Sequence, residues 1–581
     1  MIVSEAVKLV CKAVNIKIQG HQSGRKDGFM RKKLLSILLA GIMTLSVCAC
    51  GNDAENANGT SESKESQGVQ NTTETSKGSE AIQEPEEYVP TYPIVDEPIT
   101  VKGVVVGKTT EVRSDRIIWN KVSEVTGINI EWEVIDTEAF PTYLASGEWP
   151  DFIHHTLSAS QINDYGVAGG KFVNFYDYLD IMPNLVKTFE DYPYVKKAAT
   201  HSNGEMYCLP GVEMSATKAA CRPYVRTDVL EAAGLKMPTT IDEFYNCLVA
   251  LKEKNGEAGF IYRSSSDEND WGPFLYAAFG TSTNMNFDDD GTGKVIFNRT
   301  SEQMKLYLEF MHKIYSEGLL HQEYLTMETA VRDELVKKGK WAFTDNGVQR
   351  MAASDFPDGE FHIDCLAPLT SEYDSTQEIL GISGYKQGCL FINKESEYIE
   401  ELCKMFDIIY ATEEVVEGSG LAGYSFHYGL KGIDWDYGPE GSGTYEVYLP
   451  EGYTKVAAVY ETEELLWMAC GRLDALAGKV ISDVSNSQVR QIAFSKNIIP
   501  YQSDLYFPVK LLSFTDDEQY ILDNKLSDIQ KYYKEMEGKF ITGITDIETG
   551  WDEYCATLEK MGIQDVIEVY QAAYDRFNSA E

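Results

Sequence analysis

Between Thr100 and His154 the hydrophobic period of the chain switches repeatedly between two and 3.6 residues, and this constrains the fold more than any other feature. Thr100-Val101-Lys102-Gly103-Val104-Val105-Val106 is apolar and β-branched, the composition of a strand buried in a sheet. Ile117, Ile118, Val122 and Val125 then recur at helical spacing, and Gly127 closes that helix. Ile128-Asn129-Ile130-Glu131-Trp132-Glu133-Val134 alternates with period two and predicts a second strand. A short helix over Ala139 to Ser146 stops at Gly147, and Pro150 to His154 reads as a third strand. Strand, helix, strand, helix, strand specifies an α/β fold with a mainly parallel sheet and helices on its faces.

The middle of the chain repeats this logic. Asp228, with Glu231 three residues on, predicts a helix cap, and Gly234 ends that helix. Thr240 with Glu243 is a second capping signal, opening an amphipathic helix through Phe244, Leu248 and Leu251. Ser301 to Gly318 predicts a long helix with Leu308, Met311 and Ile314 on one face, and Trp341-Ala342-Phe343 a short buried strand. Two helices close the chain, one through Trp551, Tyr554 and Leu558, the other through Val566, Tyr570, Tyr574 and Phe577. The 581 residues suffice for two to four domains at roughly 150 residues each. Ninety-one acidic residues against 51 basic ones leave a net charge of −40. That excludes the cationic footprint by which proteins hold nucleic acid, and equally a polybasic membrane surface.

The front end has its own composition. Arg31-Lys32-Lys33 precedes the mostly apolar stretch Leu34 to Val47, and Val47-Cys48-Ala49-Cys50 follows. A basic region, a short apolar core and a small residue before the cut describe an export signal, too short to span a membrane stably. The last four residues resemble a bacterial lipobox, with Ala49 the small residue before the cut and Cys50 the lipidated one. We read Met30 as the initiator, residues 1–29 as a start-site artefact, and 30–49 as the lipoprotein signal peptide. Diacylglycerol supplies the two acyl chains that stable anchoring needs. Residues 1–49 hold eight Lys or Arg and two acids, so their removal takes the net charge from −40 to −46. From Gly51 to about Glu87 almost nothing is available to bury, so residues 50–91 read as a lipidated cysteine on a disordered tether. As a loose coil of ~40 residues it would extend roughly 35 Å.

Several stretches together resemble the family 1 extracellular solute-binding proteins of bacterial ABC importers, most closely the large oligosaccharide-binding lipoproteins of Gram-positive bacteria. They are Leu144-Ala145-Ser146-Gly147-Glu148-Trp149-Pro150-Asp151, Asn203-Gly204-Glu205-Met206-Tyr207, Tyr224-Val225-Arg226-Thr227-Asp228-Val229-Leu230, Pro238-Thr239-Thr240-Ile241-Asp242-Glu243-Phe244, Ile314-Tyr315-Ser316-Glu317-Gly318-Leu319, Phe540-Ile541-Thr542-Gly543 and Trp551-Asp552-Glu553-Tyr554. With Ala573-Tyr574-Asp575-Arg576-Phe577 they run in family order across nearly the whole body. The resemblance implies a two-lobed periplasmic-binding-protein-like fold of type II over residues 92–581, with a hinge and a ligand cleft between the lobes. The N-lobe is expected over roughly 97–215 with a later segment near 380–430, and the C-lobe over roughly 220–370 with C-terminal segments. A monomer is expected, partnered by a small carbohydrate and by an ABC transporter permease, at the extracellular face of a Gram-positive-type cell membrane.

Sugars offer hydroxyls and apolar ring faces, so such clefts use indole and phenol platforms with Asp, Asn, Gln and His as hydrogen-bond partners. Trp271 follows the polar run Ser264 to Asp270, and is either a stacking platform or a lid on the core. Trp435, Tyr424 and His427 lie in the Gly-rich stretch Gly418 to Gly438 and carry the same two readings. His154 and His155 end a strand, so one should face ligand and the other turn away. Asp345, Asn346 and Gln349 follow the Trp341–Phe343 strand, and Asp115 follows the first strand; each could meet hydroxyls. Trp119, Trp132 and Trp551 fit amphipathic patterns and are most simply core, while Arg226 and Asp228 read as structural.

No cofactor is expected beyond the lipid on Cys50, and no metal. Relatives that bind calcium carry an acidic loop where this chain has Lys252-Glu253-Lys254-Asn255-Gly256-Glu257-Ala258-Gly259. Asp288-Asp289-Asp290-Gly291-Thr292-Gly293 imitates the start of a calcium loop, but its twelfth position is Arg299, where a bidentate Glu is required. Gly418-Ser419-Gly420-Leu421-Ala422-Gly423 matches a dinucleotide fingerprint but follows the helical run Glu401 to Glu417 rather than a strand, and is rejected. Eight cysteines beyond Cys50 permit disulfides without showing any. The leading reading is a lipid-anchored receptor that captures an oligosaccharide unchanged. The alternatives are a surface glycoside hydrolase with a carboxylate pair, for which no motif nominates residues, and a receptor for a non-sugar ligand such as a peptide.

Overall fold

The structure is a computed structural model that describes residues 88–107, 117–212, 222–264, 271–280, 285–380, 384–448, 470–472, 479–482, 486–503 and 508–579. All of them fall in one compact unit, Glu84–Glu581. The start-site, signal-peptide, Cys50 and tether assignments, and Asp115, lie outside the described residues.

Two sheets organise the unit. Their strands are β1 (Ile99–Val106), β2 (Ile128–Ile135), β3 (Phe152–His154), β4 (Leu209–Val212), β5 (Tyr224–Arg226), β6 (Phe260–Ile261), β7 (Phe343–Thr344), β8 (Ile363–Cys365), β9 (Tyr385–Ile392) and β10 (Gly471–Arg472). The N-lobe sheet has the order β10-β4-β9-β3-β1-β2, and β9 alone runs antiparallel to its neighbours. β1 and β2 pair in unbroken register from Ile99 opposite Ile128 to Val106 opposite Ile135. Val101, Val104 and Val105 are buried although they point to alternate faces, which is why β1 reads as a continuous apolar run. Gly103 is fixed by packing, since a Cβ there would come within 2.2 Å of the Phe152 ring.

The C-lobe sheet, β8-β5-β7-β6, is mixed rather than parallel: β5 is antiparallel to both β8 and β7, and only β6 and β7 run together. Helices Ile241–Asn255 and Glu302–Ser316 cover it, and Thr240 and Ser301 accept the backbone N–H of Glu243 and Met304 at their N-termini. Glu243 returns its carboxylate to Thr239 rather than to Thr240. Asp228 does not cap its helix; it accepts Nε and Nη2 of the buried Arg226, which itself occupies the cap position. The C-terminal helices Ile547–Lys560 and Ile563–Ser579 join a 27-residue helix, Asp516–Thr542, and all three bury their apolar faces in the C-lobe core. The helix expected to run to Glu417 ends at Asp407, with a 3-10 turn to Tyr410. Asp288 and Asp289 end the first strand and Asp290 to Gly293 lie in the bend of the β-hairpin Phe287–Asp289/Val295–Phe297.

The chain passes from the N-lobe to the C-lobe between β4 and β5, returns between β8 and β9, and leaves again before helix Asn486–Asn497, whose Ala493 and Phe494 join the C-lobe core. A small third cluster, Ala422, Tyr424, Trp435, Tyr445 and Ile481, forms beside that helix, where Ile481 donates its N–H to Gln491 Oε1.

Candidate functional site

Strand direction locates the site. In the N-lobe, β4 runs into the crossing, and β1, β2, β3 and β10 are parallel to it, so their carboxyl ends all look toward the C-lobe. In the C-lobe, β5 enters from the crossing at Tyr224; Thr344 and Cys365 pair with Tyr224, and Ile261 pairs with Thr344. The ends of β6, β7 and β8 therefore lie on the edge that faces the N-lobe. Ligands of open α/β sheets sit beyond such ends.

From the N-lobe this edge receives His155, directly after β3, and Tyr385 and Gln387 at the start of β9. Gln387 Nε2 donates to Leu157 O at 2.6 Å, tying the two segments together. From the C-lobe it receives Arg222, Tyr224, Arg263, Asn346 and Gln349. Helix Asn486–Asn497 adds Arg490. Asn486 Nδ2 donates to the carbonyls of Val348 and Met351 at 2.8 and 2.9 Å, which seats the helix on the turn after β7. Asn486 Oδ1 in turn accepts Arg490 Nε at 2.7 Å, holding the guanidinium 5.9 Å from the Tyr224 ring centre and 3.5 Å from Asn346 Oδ1. Burial pushes the Tyr224 hydroxyl up to about 12 and Cys365 adds to it, against the opposing pull of Arg490 and Arg222. The edge thus offers guanidinium groups, side-chain amides and an imidazole, suited to hold hydroxyl-rich ligands, with Tyr224 buried behind them in the C-lobe core.

Several expected site residues lie elsewhere. Trp271 is fully buried, with its ring between Phe244, Phe260, Phe274 and Phe343; it is a centrepiece of the C-lobe core and not a platform. Trp435 is likewise inaccessible, donating its indole N–H to Gly429 O at 3.0 Å and packing on the buried Tyr424. The exposed aromatics of that cluster are instead Tyr437 and Tyr448. His427, half-buried, packs edge-on against Tyr428. His154 faces the N-lobe core beside Trp132, so the alternation of β3 turns His155 to the opposite face, where it meets the edge of Phe140. Burial lowers the His155 pKa and favours the neutral imidazole.

Asp345 is fully buried and belongs to the fold. It forms an ion pair with Arg332 and accepts the backbone N–H groups of Arg263 and Gly347. Burial still raises its pKa against that pairing. Asn346 is largely buried and donates to Gln349 Oε1 at 2.7 Å, which leaves Gln349 as the exposed member of the trio. Of the expected residues, the edge brings together His155, Asn346 and Gln349. It adds Arg222, Tyr224, Arg263, Gln387 and Arg490, which no local pattern marked. A separate cavity of about 300 Å³, lined by Lys197, His201, Ser202, Leu511, Arg576 and Phe577, also involves both lobes, but its N-lobe wall precedes β4 rather than following a strand end.

Residues 110–415, more than half of the chain, match the family described as bacterial extracellular solute-binding protein. The chain belongs to that family. This solute-binding protein is 24% identical over 488 residues, 80% of its own length and 88% of the other's, to the fructooligosaccharide ABC transporter substrate-binding protein FusA of Streptococcus pneumoniae. It is 29% identical over 213 residues, 35% of its length and 40% of the other's, to lipoprotein LipO of Bacillus subtilis. Its fold matches an HMO-binding, ABC-transporter-associated solute-binding protein of Bifidobacterium longum infantis with a TM-score of 0.66 at 19% identity, covering 84% of this chain and all of that one. The two lobes are those of a solute-binding protein, and the family binds its ligands rather than transforming them. No described helix is long and apolar enough to cross a membrane.

Proposed function

We propose that this solute-binding protein captures an oligosaccharide between its lobes at the extracellular face of the membrane, held there through a lipid on Cys50, and passes it unchanged to an ABC transporter permease. The observation that carries this reading is the similarity to FusA, which spans most of both chains and therefore includes both lobes. The interlobe edge agrees with it chemically. Arg490, Gln349, Gln387 and His155 are donors and acceptors for sugar hydroxyls. Closure of two lobes over a ligand is a hinge motion, and a chain that crosses three times can hinge without separating its halves. The name of LipO favours the anchor.

The test is a thermal-shift screen of the purified protein against a glycan panel that includes fructo-oligosaccharides, followed by calorimetry on any glycan that raises the melting temperature. Saturable binding at one site per chain, with the glycan recovered intact, is expected. No response across the panel, or recovery of a cleaved glycan, would contradict the proposal.

A further inference from the structure

Three buried side chains converge in the N-lobe, turned into its core and away from the ligand edge that His155 faces. Cys389 lies on β9, His154 on the neighbouring β3, and Cys470 immediately before β10, which is separated from β9 by β4. The two sulfurs stand 3.3 Å apart. Both sulfurs and a ring nitrogen of His154 lie within 4.8 Å of one another. Segments more than 300 residues apart in sequence thus deliver two thiols and an imidazole to one point of the core, with the Cys208 thiol and the Tyr410 hydroxyl near by.

The backbone is shaped to permit this convergence. The register of β9 against β4 shifts between Lys386 and Leu390, the stretch that contains Cys389. Gly388 lies so close to β4 that a Cβ there would come within 2.1 Å of Leu209 O. Gly211 of β4 pairs with Gly471, next to Cys470, at the edge.

We propose that His154, Cys389 and Cys470 form a binding site for a soft divalent cation of the zinc class. Thiolate and imidazole are the donors such ions select. Binding would release the two thiol protons to solvent, so that one dication and two thiolates give a neutral centre, the charge state that an apolar interior opposes least. Thiolates at about 2.3 Å from a tetrahedral ion lie about 3.8 Å apart, so the sulfurs need separate by only about half an ångström. The ion would fasten the returning segment Cys470–Arg472 to the centre of the sheet. Because the three groups are buried, loading belongs to folding, as in structural sites.

The experiment is metal analysis of the full chain refolded with and without Zn²⁺, with Co²⁺ as a spectroscopic substitute. One equivalent of zinc per chain, a raised melting temperature with zinc, and thiolate-to-cobalt charge-transfer absorption are expected. Cys389→Ser and Cys470→Ser should each abolish all three, while Cys403→Ser, a buried thiol on helix Ile399–Asp407, should keep them. If the serine variants do not fold, the wild-type stoichiometry decides alone. A metal-free chain whose melting temperature ignores zinc would overturn the site, and so would a Cys389–Cys470 disulfide found by peptide mass. Neither outcome bears on solute binding, which the glycan screen tests separately.

Discussion

The two lobes share an architecture but reach it by different means. The N-lobe sheet contains three eight-residue strands, and its order is written in long apolar or alternating runs. The C-lobe sheet is built from strands of two or three residues, and its core comes from helices and from rings stacked around Trp271. Their buried charges differ as well. In the C-lobe, Asp345 is matched by the guanidinium of Arg332. In the N-lobe, Asp407 is buried without a cationic partner among the described residues; it accepts the backbone N–H groups of Asn184 and Leu185 and the side-chain amide of Asn184.

The largest effects should come from the C-lobe centre. Trp271→Ala removes an indole enclosed by four aromatic rings and should cost about 3–5 kcal/mol. Denaturant unfolding with hydrogen exchange should locate the loss in the C-lobe while β1 and β2 keep their protection. Equal loss of protection in both lobes would mean that they do not differ in the way described. Asp345→Ala leaves the buried Arg332 with Asp333 alone and strips the Arg263 and Gly347 N–H groups of their acceptor, and should also cost about 3–5 kcal/mol.

Asp407 provides the N-lobe counterpart. Burial raises its pKa to about 6, against the opposing pull of the Leu185 and Asn184 hydrogen bonds. A carboxyl raised above its unfolded value of about 3.9 holds its proton more tightly when folded, so its contribution to stability is complete below about pH 4 and is lost as pH rises through about 6. The lost amount is about 3 kcal/mol for a shift of about two units. Asp407→Asn should flatten that part of the stability profile in urea titrations between about pH 4 and 7; an unchanged slope would show that the carboxyl is not desolvated. Smallest of all is the effect at the cleft. Arg490→Met should weaken glycan affinity about tenfold, or ~1.4 kcal/mol, with little change in melting temperature. Full affinity in that variant would remove Arg490 from the site.

The same contrast explains what the sequence made legible. β1, β2 and the helix between them follow directly from periodicity, because long strands repeat their pattern often enough to be read. β6, two residues long, carries no pattern of its own, and β7 is legible only as the apolar run Trp341-Ala342-Phe343, which overlaps the paired strand Phe343–Thr344 at Phe343. Trp271 looks like a loop platform because a polar run precedes it, yet Pro273, Phe274 and Leu275 open a buried helical turn immediately after it. Trp435 and Tyr424 look exposed amid glycines, but those glycines let the chain fold around them. Arg490 and Tyr224 meet only because helix Asn486–Asn497 returns to β5 from more than 260 residues away, and no local signal encodes that approach. Cys389 and Cys470 were visible as isolated cysteines, while their convergence depends on strand order alone.

Two lobes that close on a carbohydrate and release it unaltered are tested by what they bind and what they give back. Calorimetric titration with a fructo-oligosaccharide and with the strongest responder from the glycan screen, followed by mass analysis of the recovered sugar, is the most direct test. The account requires one saturable site per chain and an intact ligand for at least one glycan. Absence of heat with every glycan, or recovery of shortened products, would contradict it.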